Sequence, residues 1–250
     1  MTSPDTGKKV VVVGAGRTGC ALVRFFLGRG ARVVLSDSRQ ADRIHLPDDL
    51  AGAAVHLDLG GHTPELFTEA DLVVVSPGVP TDIPVLRRAR ETGVPILGEI
   101  EIAARVLDRP IAAVTGTNGK STVTSLMGDI YKAWGKRTFV GGNLGTPLIE
   151  AAGLDWDWLV VELSSFQLET IETFRPRFGL LLNISEDHLD RYPDMASYCA
   201  AKARLFMNMT SEDVAVLNAD DPLVLAAADA SPARKIMFSS ERPLTEGMFL

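Results

Sequence analysis

The chain has 250 residues, 46% hydrophobic and 23% charged, with a formal net charge of −7. That is the composition of a globular protein able to bury one sizeable core or two smaller ones. The acidic balance argues against a nucleic-acid partner and an anionic membrane surface, while leaving room for a local anion site. Cys20 and Cys199 cannot build a disulfide framework, which fits a reducing cytoplasm. Residues 1–9 lack the apolar core of a signal peptide, and no apolar run is long enough to span a bilayer.

Short branched apolar runs bounded by turn residues predict buried strands at 10–13, 32–36, 72–76, 94–97, 111–114, 159–163, 178–184 and 214–217. Amphipathic stretches predict helices at 17–29, 83–92, 100–106, 121–134, 196–207 and 221–228. Residues 247–250 read as the start of a further strand. The alternation predicts an α/β fold of parallel sheets with crossover helices. Two strand–loop–helix units carry glycine-rich loops, so two nucleotide-handling domains are expected, 1–97 and 98–250.

The first loop is Gly14-Ala15-Gly16-Arg17-Thr18-Gly19, a G-x-G-x-x-G run between a strand and a helix. Asp37 lies 18 residues beyond Gly19, at the end of the second predicted strand. Taken alone, this pattern reads as NAD binding, with pyrophosphate on the helix N-terminus and a carboxylate on the ribose. Asp37-Ser38-Arg39 would equally grip a uracil ring and a phosphate, so a different diphosphate nucleotide stays open. A further loop, Ser76-Pro77-Gly78-Val79, ends another buried strand and is expected to line the same crevice.

The second loop is more specific. Thr115-Gly116-Thr117-Asn118-Gly119-Lys120-Ser121-Thr122 follows an apolar strand and opens a helix. Backbone N–H groups around such a turn hold a polyphosphate, the lysine reaches the β- and γ-phosphates, and the Ser121 hydroxyl can ligate Mg²⁺. The strict phosphate-loop pattern requires a glycine five positions before Gly119, where this chain has Val114. Glu162, at the end of the 159–163 run, is costly to bury unless paired or bound to metal. In a phosphate-loop protein, a Mg²⁺ ligand is its natural role. The cluster Asn183-Ile184-Ser185-Glu186-Asp187-His188-Leu189-Asp190 closes the next strand, and His188 reads equally as a ligand or as a structural histidine. By itself Lys202 reads as a solvated lysine on a helix.

Four segments then occur in one order: the 115–122 loop, Gly141-Gly142-Asn143-Leu144-Gly145, Glu162-Leu163-Ser164-Ser165-Phe166-Gln167-Leu168-Glu169, and Asn183 through Tyr192. In that combination the chain resembles the Mur ligases over nearly its whole length. The resemblance implies an ATP-dependent, Mg²⁺-requiring ligase of peptidoglycan precursor synthesis. It would phosphorylate the carboxylate of UDP-N-acetylmuramoyl-L-alanine and couple the acyl phosphate to D-glutamate, as a cytoplasmic monomer. It also implies roles: residues 115–122 for ATP, Ser121 and Glu162 for a first Mg²⁺, and His188 with a carbamylated Lys202 for a second. Asn143 and Gln167 would meet the substrate or the transferring phosphate. On this reading Lys120, Asn143, His188 and Lys202 are the catalytic set.

The resemblance also changes the reading of the first loop. The N-terminal Rossmann-like domain of these ligases holds the UDP end of the substrate, so Arg17, Thr18, Asp37, Ser38, Arg39, Ser76 and Gly78 are expected there. Mur ligases carry a third domain beyond a P-loop ATPase-like α/β domain. The resemblance therefore implies a partial chain with an incomplete central domain and impaired ligation. Three alternatives stay open: another amide ligase of the superfamily, including the folylpolyglutamate type; a non-catalytic nucleotide-binding module; and an NAD-dependent oxidoreductase.

Overall fold

A computed structural model describes residues 3–249. The chain divides between Ala103 and Ala104 into two compact units. The first contains β1 (Lys9–Val13), α1 (Arg17–Gly28), β2 (Arg32–Asp37), α2 (Asp48–Ala51), β3 (Val55–Leu59), α3 (Pro64–Thr68), β4 (Leu72–Val75), α4 (Pro84–Glu91) and β5 (Ile96–Gly98), and α5 (Glu99–Val106) crosses the division. Its five strands are parallel, in the order β3-β2-β1-β4-β5. Val10, Val11 and Val12 on the central strand have no solvent exposure, as expected for a sheet covered on both faces. On one face Val11, Val13, Val73 and Val75 pack with Phe67, Leu86 and Ala89.

The strand order reverses at β1, so the loops after β1 and β4 meet at the carboxyl edge of the sheet. Ser76 N–H donates to the Val13 carbonyl at 3.0 Å. The Ser76 hydroxyl donates to the Gly14 carbonyl at 3.3 Å. This tight approach explains the glycines of the first loop. Gly14 has φ +98°, and a β-carbon on Gly19 would sit 1.8 Å from the Gly14 carbonyl oxygen.

The second unit holds β6 (Ile111–Thr115), α6 (Lys120–Ala133), β7 (Thr138–Gly142), β8 (Trp158–Glu162), α7 (Ser165–Leu168), β9 (Phe178–Leu181), α8 (Met195–Ala203), β10 (Val214–Asn218), α9 (Pro222–Ala227), β11 (Arg234–Ser239) and β12 (Met248–Phe249). Its seven strands are also parallel, in the order β12-β11-β10-β9-β6-β8-β7. Here β6 is wholly buried, with β8 on one side and β9 on the other. The register sets Val114 beside Glu162 and Thr115 beside Leu181.

The predicted strands and long helices are present, with shifts at their ends. β9 stops at Leu181 rather than at residue 184, because the chain turns there to serve the neighbouring loop: Thr117 N–H donates to the Asn183 carbonyl at 2.9 Å. The helix predicted over 196–207 ends at Ala203 and tightens into a 3₁₀ turn, Arg204–Phe206. Three strands escaped the sequence reading. In β3 (Val-His-Leu-Asp-Leu) and β11 (Arg-Lys-Ile-Met-Phe-Ser), exposed polar or charged positions break the apolar run. β7 ends in two glycines, and a β-carbon on Gly142 would lie 2.3 Å from the Glu162 carbonyl oxygen. The strand expected at 247–250 is seen as Met248–Phe249, and Leu250 lies outside the described residues.

Replacing Gly19 with alanine forces the Gly14 carbonyl aside, and is expected to cost about 3 kcal/mol or more in urea unfolding. Gly16→Ala meets nothing within 4 Å. It is expected to stay within about 1 kcal/mol of the parent protein.

Candidate nucleotide-binding sites

In the first unit, Asp37 ends β2 and is 5% exposed. Its Oδ2 accepts the Ala15 N–H at 2.7 Å and Arg39 Nη2 at 2.7 Å. Its Oδ1 accepts the Arg39 N–H and Nε, both at 2.9 Å. The Arg39 hydrogen bond, first among the causes, holds the Asp37 carboxyl well below the usual carboxylate range. This carboxylate is committed to the loop and the guanidinium, which weakens the reading in which it grips a ribose. Arg39, half exposed, is the presented cation; Ser38 beside it and Arg17 at the start of α1 are also exposed. Thr18 is half-buried on α1, and Gly78 is exposed with open space beside it. The helix start at Gly16 has no side-chain cap, the setting in which a helix N-terminus can take an anion.

Behind this turn lies a polar cluster that the sequence reading missed. The buried Ser36 hydroxyl donates to Asp58 Oδ2 at 2.7 Å, as β2–β3 register dictates. It also lies 2.7 Å from His62 Nδ1. A serine has one proton to give, so with the carboxylate ionised His62 Nδ1 is the donor of the second bond. Gly60 N–H donates to the carbonyls of Asp37 and Arg39, tying the 37–39 turn to this cluster.

In the second unit, Gly116 (φ +155°) and Gly119 (φ +83°) shape the loop after β6. Asn183 braces it. Its Oδ1 accepts the N–H of Thr117 at 3.1 Å and of Asn118 at 2.8 Å, and its Nδ2 donates to the Asn118 carbonyl at 3.1 Å. The Thr117 hydroxyl donates to the Ser185 carbonyl and accepts from the Ser185 N–H and the Tyr198 hydroxyl. The Thr115 hydroxyl is turned into the protein, onto the Leu163 carbonyl at 2.8 Å. With the Thr117 and Asn118 N–H groups taken by Asn183, a phosphate would meet those of Gly119, Lys120, Ser121 and Thr122, at a helix start that no side chain caps. Lys120 Nζ rests on the Thr117 carbonyl at 2.8 Å, within the loop it would leave to meet a phosphate.

Glu162 is 2% exposed. The Ser121 hydroxyl donates to its Oε2 at 2.6 Å, and Asn143 Nδ2 donates to its Oε1 at 2.7 Å. The structure thus brings together Ser121, Glu162 and Asn143. Gln167 is used locally: it forms a reciprocal capping box with Ser164 at the start of α7. Buried beside neutral donors, Glu162 has the environment of a carboxylate that gains from a divalent cation. The chemistry of the pair fits Mg²⁺, a hard ion taking hydroxyl and carboxylate oxygens alongside phosphate oxygens. Among the described residues, no group of three or more His, Cys, Asp or Glu side chains is assembled to hold a metal without such outside ligands.

Lys202 overturns the expectation of a solvated lysine. It is 1% exposed, and its Nζ donates to the Gly116 carbonyl at 2.8 Å and sits 4.7 Å from the Tyr198 ring centroid. Burial, reinforced by the Lys120 charge, lowers its pKa to about 7. The signal was available: Tyr198, Ala201, Lys202 and Leu205 fall at the spacing of one buried stripe. His188 stands apart from the Ser121–Glu162 pair in the bonds it makes. Its ring is 43% exposed and lies against Phe166, and its Nε2 is 3.5 Å from Asp187 Oδ2.

Two family models cover these two units. The description "Mur ligase MurD-like, N-terminal domain" matches residues 8–98, and "Mur ligase middle domain" matches 114–246, more than half of the chain. The chain belongs to the Mur ligase family. It is 60% identical over 244 residues to a UDP-N-acetylmuramoylalanine–D-glutamate ligase of Syntrophotalea carbinolica, covering 97% of this chain and 54% of that protein. A protein of the same name from Desulfosudis oleivorans is 50% identical, over 96% of this chain and 53% of its own length. The chain therefore spans about half the length of these curated relatives. Among solved structures, the UDP-N-acetylmuramate:L-alanyl-γ-D-glutamyl-meso-diaminopimelate ligase from Neisseria meningitides shares the fold, with a TM-score of 0.64 at 17% identity, covering 97% of this chain and 83% of that one. Among the described residues, no helix is long and apolar enough to cross a membrane.

In this Mur ligase chain the buried lysine leaves a pH signature. The folded state disfavours the charged amine and the unfolded state does not. The unfolded chain therefore binds the extra proton between about pH 7 and the ordinary lysine range, and stability rises with pH across that window. Urea unfolding of the parent against Lys202→Met is expected to show the parent gaining on the order of 3 kcal/mol relative to the variant between pH 7 and 10. Parallel curves would refute the assignment.

Proposed function

We propose that this chain carries the UDP-substrate and ATP sites of a ligase that couples D-glutamate to UDP-N-acetylmuramoyl-L-alanine through an acyl phosphate. The observation that carries this reading is the convergence of Ser121, Asn143 and the buried Glu162 at an uncapped helix start next to Lys120. The high identity to ligases of that name supports the choice of substrates.

The chemistry brings two anions together: the γ-phosphate and the carboxylate it is transferred to. Preorganised positive charge is what such a step needs. The N–H groups at the start of α6 take phosphate oxygens, and Lys120 trades the Thr117 carbonyl for the β- and γ-phosphates. Ser121 and Glu162 are the residues that would hold Mg²⁺, which neutralises charge between the phosphates when bound. Asn143, fixed by Glu162 and by its own N–H on the Glu162 carbonyl at 2.9 Å, would be the residue that meets the transferring phosphate.

Lys202 supports a further part of the reading. An amine with a pKa near 7 keeps a large neutral fraction at neutral pH, and that form can add CO₂, giving a carbamate and releasing a proton. The product is an acidic oxygen ligand where the sequence has a cation, which supplies the donor that the His, Cys, Asp and Glu side chains do not. His188 with this carbamate would then serve a second Mg²⁺. In the first unit Arg39, Arg17 and the uncapped start of α1 favour a UDP diphosphate, while the commitment of Asp37 disfavours NAD.

Phosphate release from ATP by the protein is expected to require UDP-N-acetylmuramoyl-L-alanine and D-glutamate together. Exclusive use of L-alanine would sink the choice of substrates. On this chain, titration is expected to show a UDP-sugar binding and NADH not binding, with Arg39→Ala weakening the UDP-sugar by about tenfold, as loss of a charge-assisted contact would. Tight NADH binding would overturn the reading of the first unit. With ¹³CO₂ and Mg²⁺ at pH 8, a carbamate carbon resonance is expected in the parent and absent in Lys202→Arg.

A further inference from the structure

The backbone at His188 is set by its own turn. His188 has φ +54°, unfavourable for a residue with a β-carbon. Its carbonyl accepts the N–H groups of Arg191 and Tyr192, both at 2.9 Å, and its N–H donates to Asp187 Oδ1 at 2.9 Å. The imidazole itself is less constrained, since its side chain is 43% exposed. The nearest ring to it is Phe166, 4.9 Å away between centroids and tilted by 52°, with the Tyr198 ring edge-on at 6.2 Å and Asp187 Oδ2 3.5 Å from Nε2.

Phe166 is in turn held by two neighbours. Tyr192 stacks on it at 5.9 Å and 12°, and the Arg191 guanidinium lies 4.6 Å from its centroid. The Tyr192 ring is buried, and its hydroxyl donates to Glu169 Oε1 at 2.5 Å. Arg191 Nη2 lies 4.0 Å from Glu169 Oε2. Phe166 and Glu169 sit three residues apart on α7 and its C-cap, and the Ser164–Gln167 capping box fixes where that short helix begins. A rigid path therefore runs from the Glu162 end of β8, through α7, to the imidazole.

We propose that Phe166 is a positioning residue for His188, kept in register by Tyr192 and Glu169, so that β8 sets the imidazole as well as the Glu162 carboxylate. This rests on the reading of His188 as a metal-holding residue. Outer partners that orient a ligating histidine commonly change metal affinity by 10–100-fold when removed.

The test is NMR of the His188 imidazole in this chain, alone and titrated with Mn²⁺ and a non-hydrolysable ATP analogue. In the parent, the Cε1–H signal is expected to be displaced by the Phe166 ring and broadened by Mn²⁺. Phe166→Leu is expected to return the signal toward that of a free histidine and to raise the Mn²⁺ needed for half-broadening about tenfold, with Phe166→Tyr restoring both. Tyr192→Phe, which keeps both rings and deletes the bond to Glu169, is expected to shift both readouts in the same direction by less. It decides the matter if Phe166→Leu loses its dispersed amide spectrum. An unchanged His188 signal and Mn²⁺ response in these variants would overturn the proposal. Failure of Mn²⁺ to broaden His188 in the parent would refute the metal reading, while the displacement of the signal and its loss in Phe166→Leu would still decide the positioning.

Discussion

What the second unit can do with a polyphosphate depends on β6 being paired with β8 on one side and β9 on the other. Parallel pairing slides the carboxyl ends of the three strands to one edge. That register delivers a carboxylate from β8 and an asparagine from just past β9 to a loop far from both in sequence. Asn183 then spends its amide on the loop N–H groups of Thr117 and Asn118. The loop is thereby braced by the protein itself, and the N–H groups of Gly119 and of the first turn of α6 face no side-chain cap. Preorganisation of this kind is where electrostatic stabilisation gains its strength, because the donors need no rearrangement when charge develops.

Burial does the chemical tuning. Glu162 and Lys202 are both almost without solvent, yet the structure treats them differently. Glu162 has two neutral donors, one on each oxygen, and remains a ready partner for a cation. Lys202 has one carbonyl, an aromatic face and a neighbouring cation, an arrangement that favours the neutral amine. The same desolvation that would be a liability for a charge makes the amine a nucleophile. In the first unit the balance runs the other way. Asp37 is buried but stays ionised, because Arg39 and a backbone N–H replace the lost water. The acid is thereby taken up by the fold and the guanidinium is left as the group on display.

Much of this was legible from residues alone where local chemistry decides the outcome. The two glycine loops, the parallel strands rich in valine and the loop–helix step at Lys120 and Ser121 follow from spacing and side-chain type. The unread strands had no such signal. β3 and β11 carry exposed polar residues, and β7 is an edge strand ending in two glycines, Gly141 pressed on the Thr146 carbonyl and Gly142 on that of Glu162. Lys202 was misread because a lysine between alanines looks solvated until the whole stripe through Tyr198 and Leu205 is counted.

The sequence by itself determined the fold class, the family resemblance and the position of the phosphate loop, because periodicity, glycine placement and motif order are local properties. Only the tertiary structure decided which donors remain free at that loop, that Asp37 is spent on Arg39, that Gln167 serves a capping box, and that Lys202 is buried against Gly116. The free loop donors and the burial of Lys202 depend on partners brought from elsewhere in the chain by strand register and helix packing, while the Asp37–Arg39 and Ser164–Gln167 bonds are local contacts that the folded backbone selects from several open to each side chain. A linear pattern encodes the residues that could meet. The packing selects which of them do, and so sets their charge.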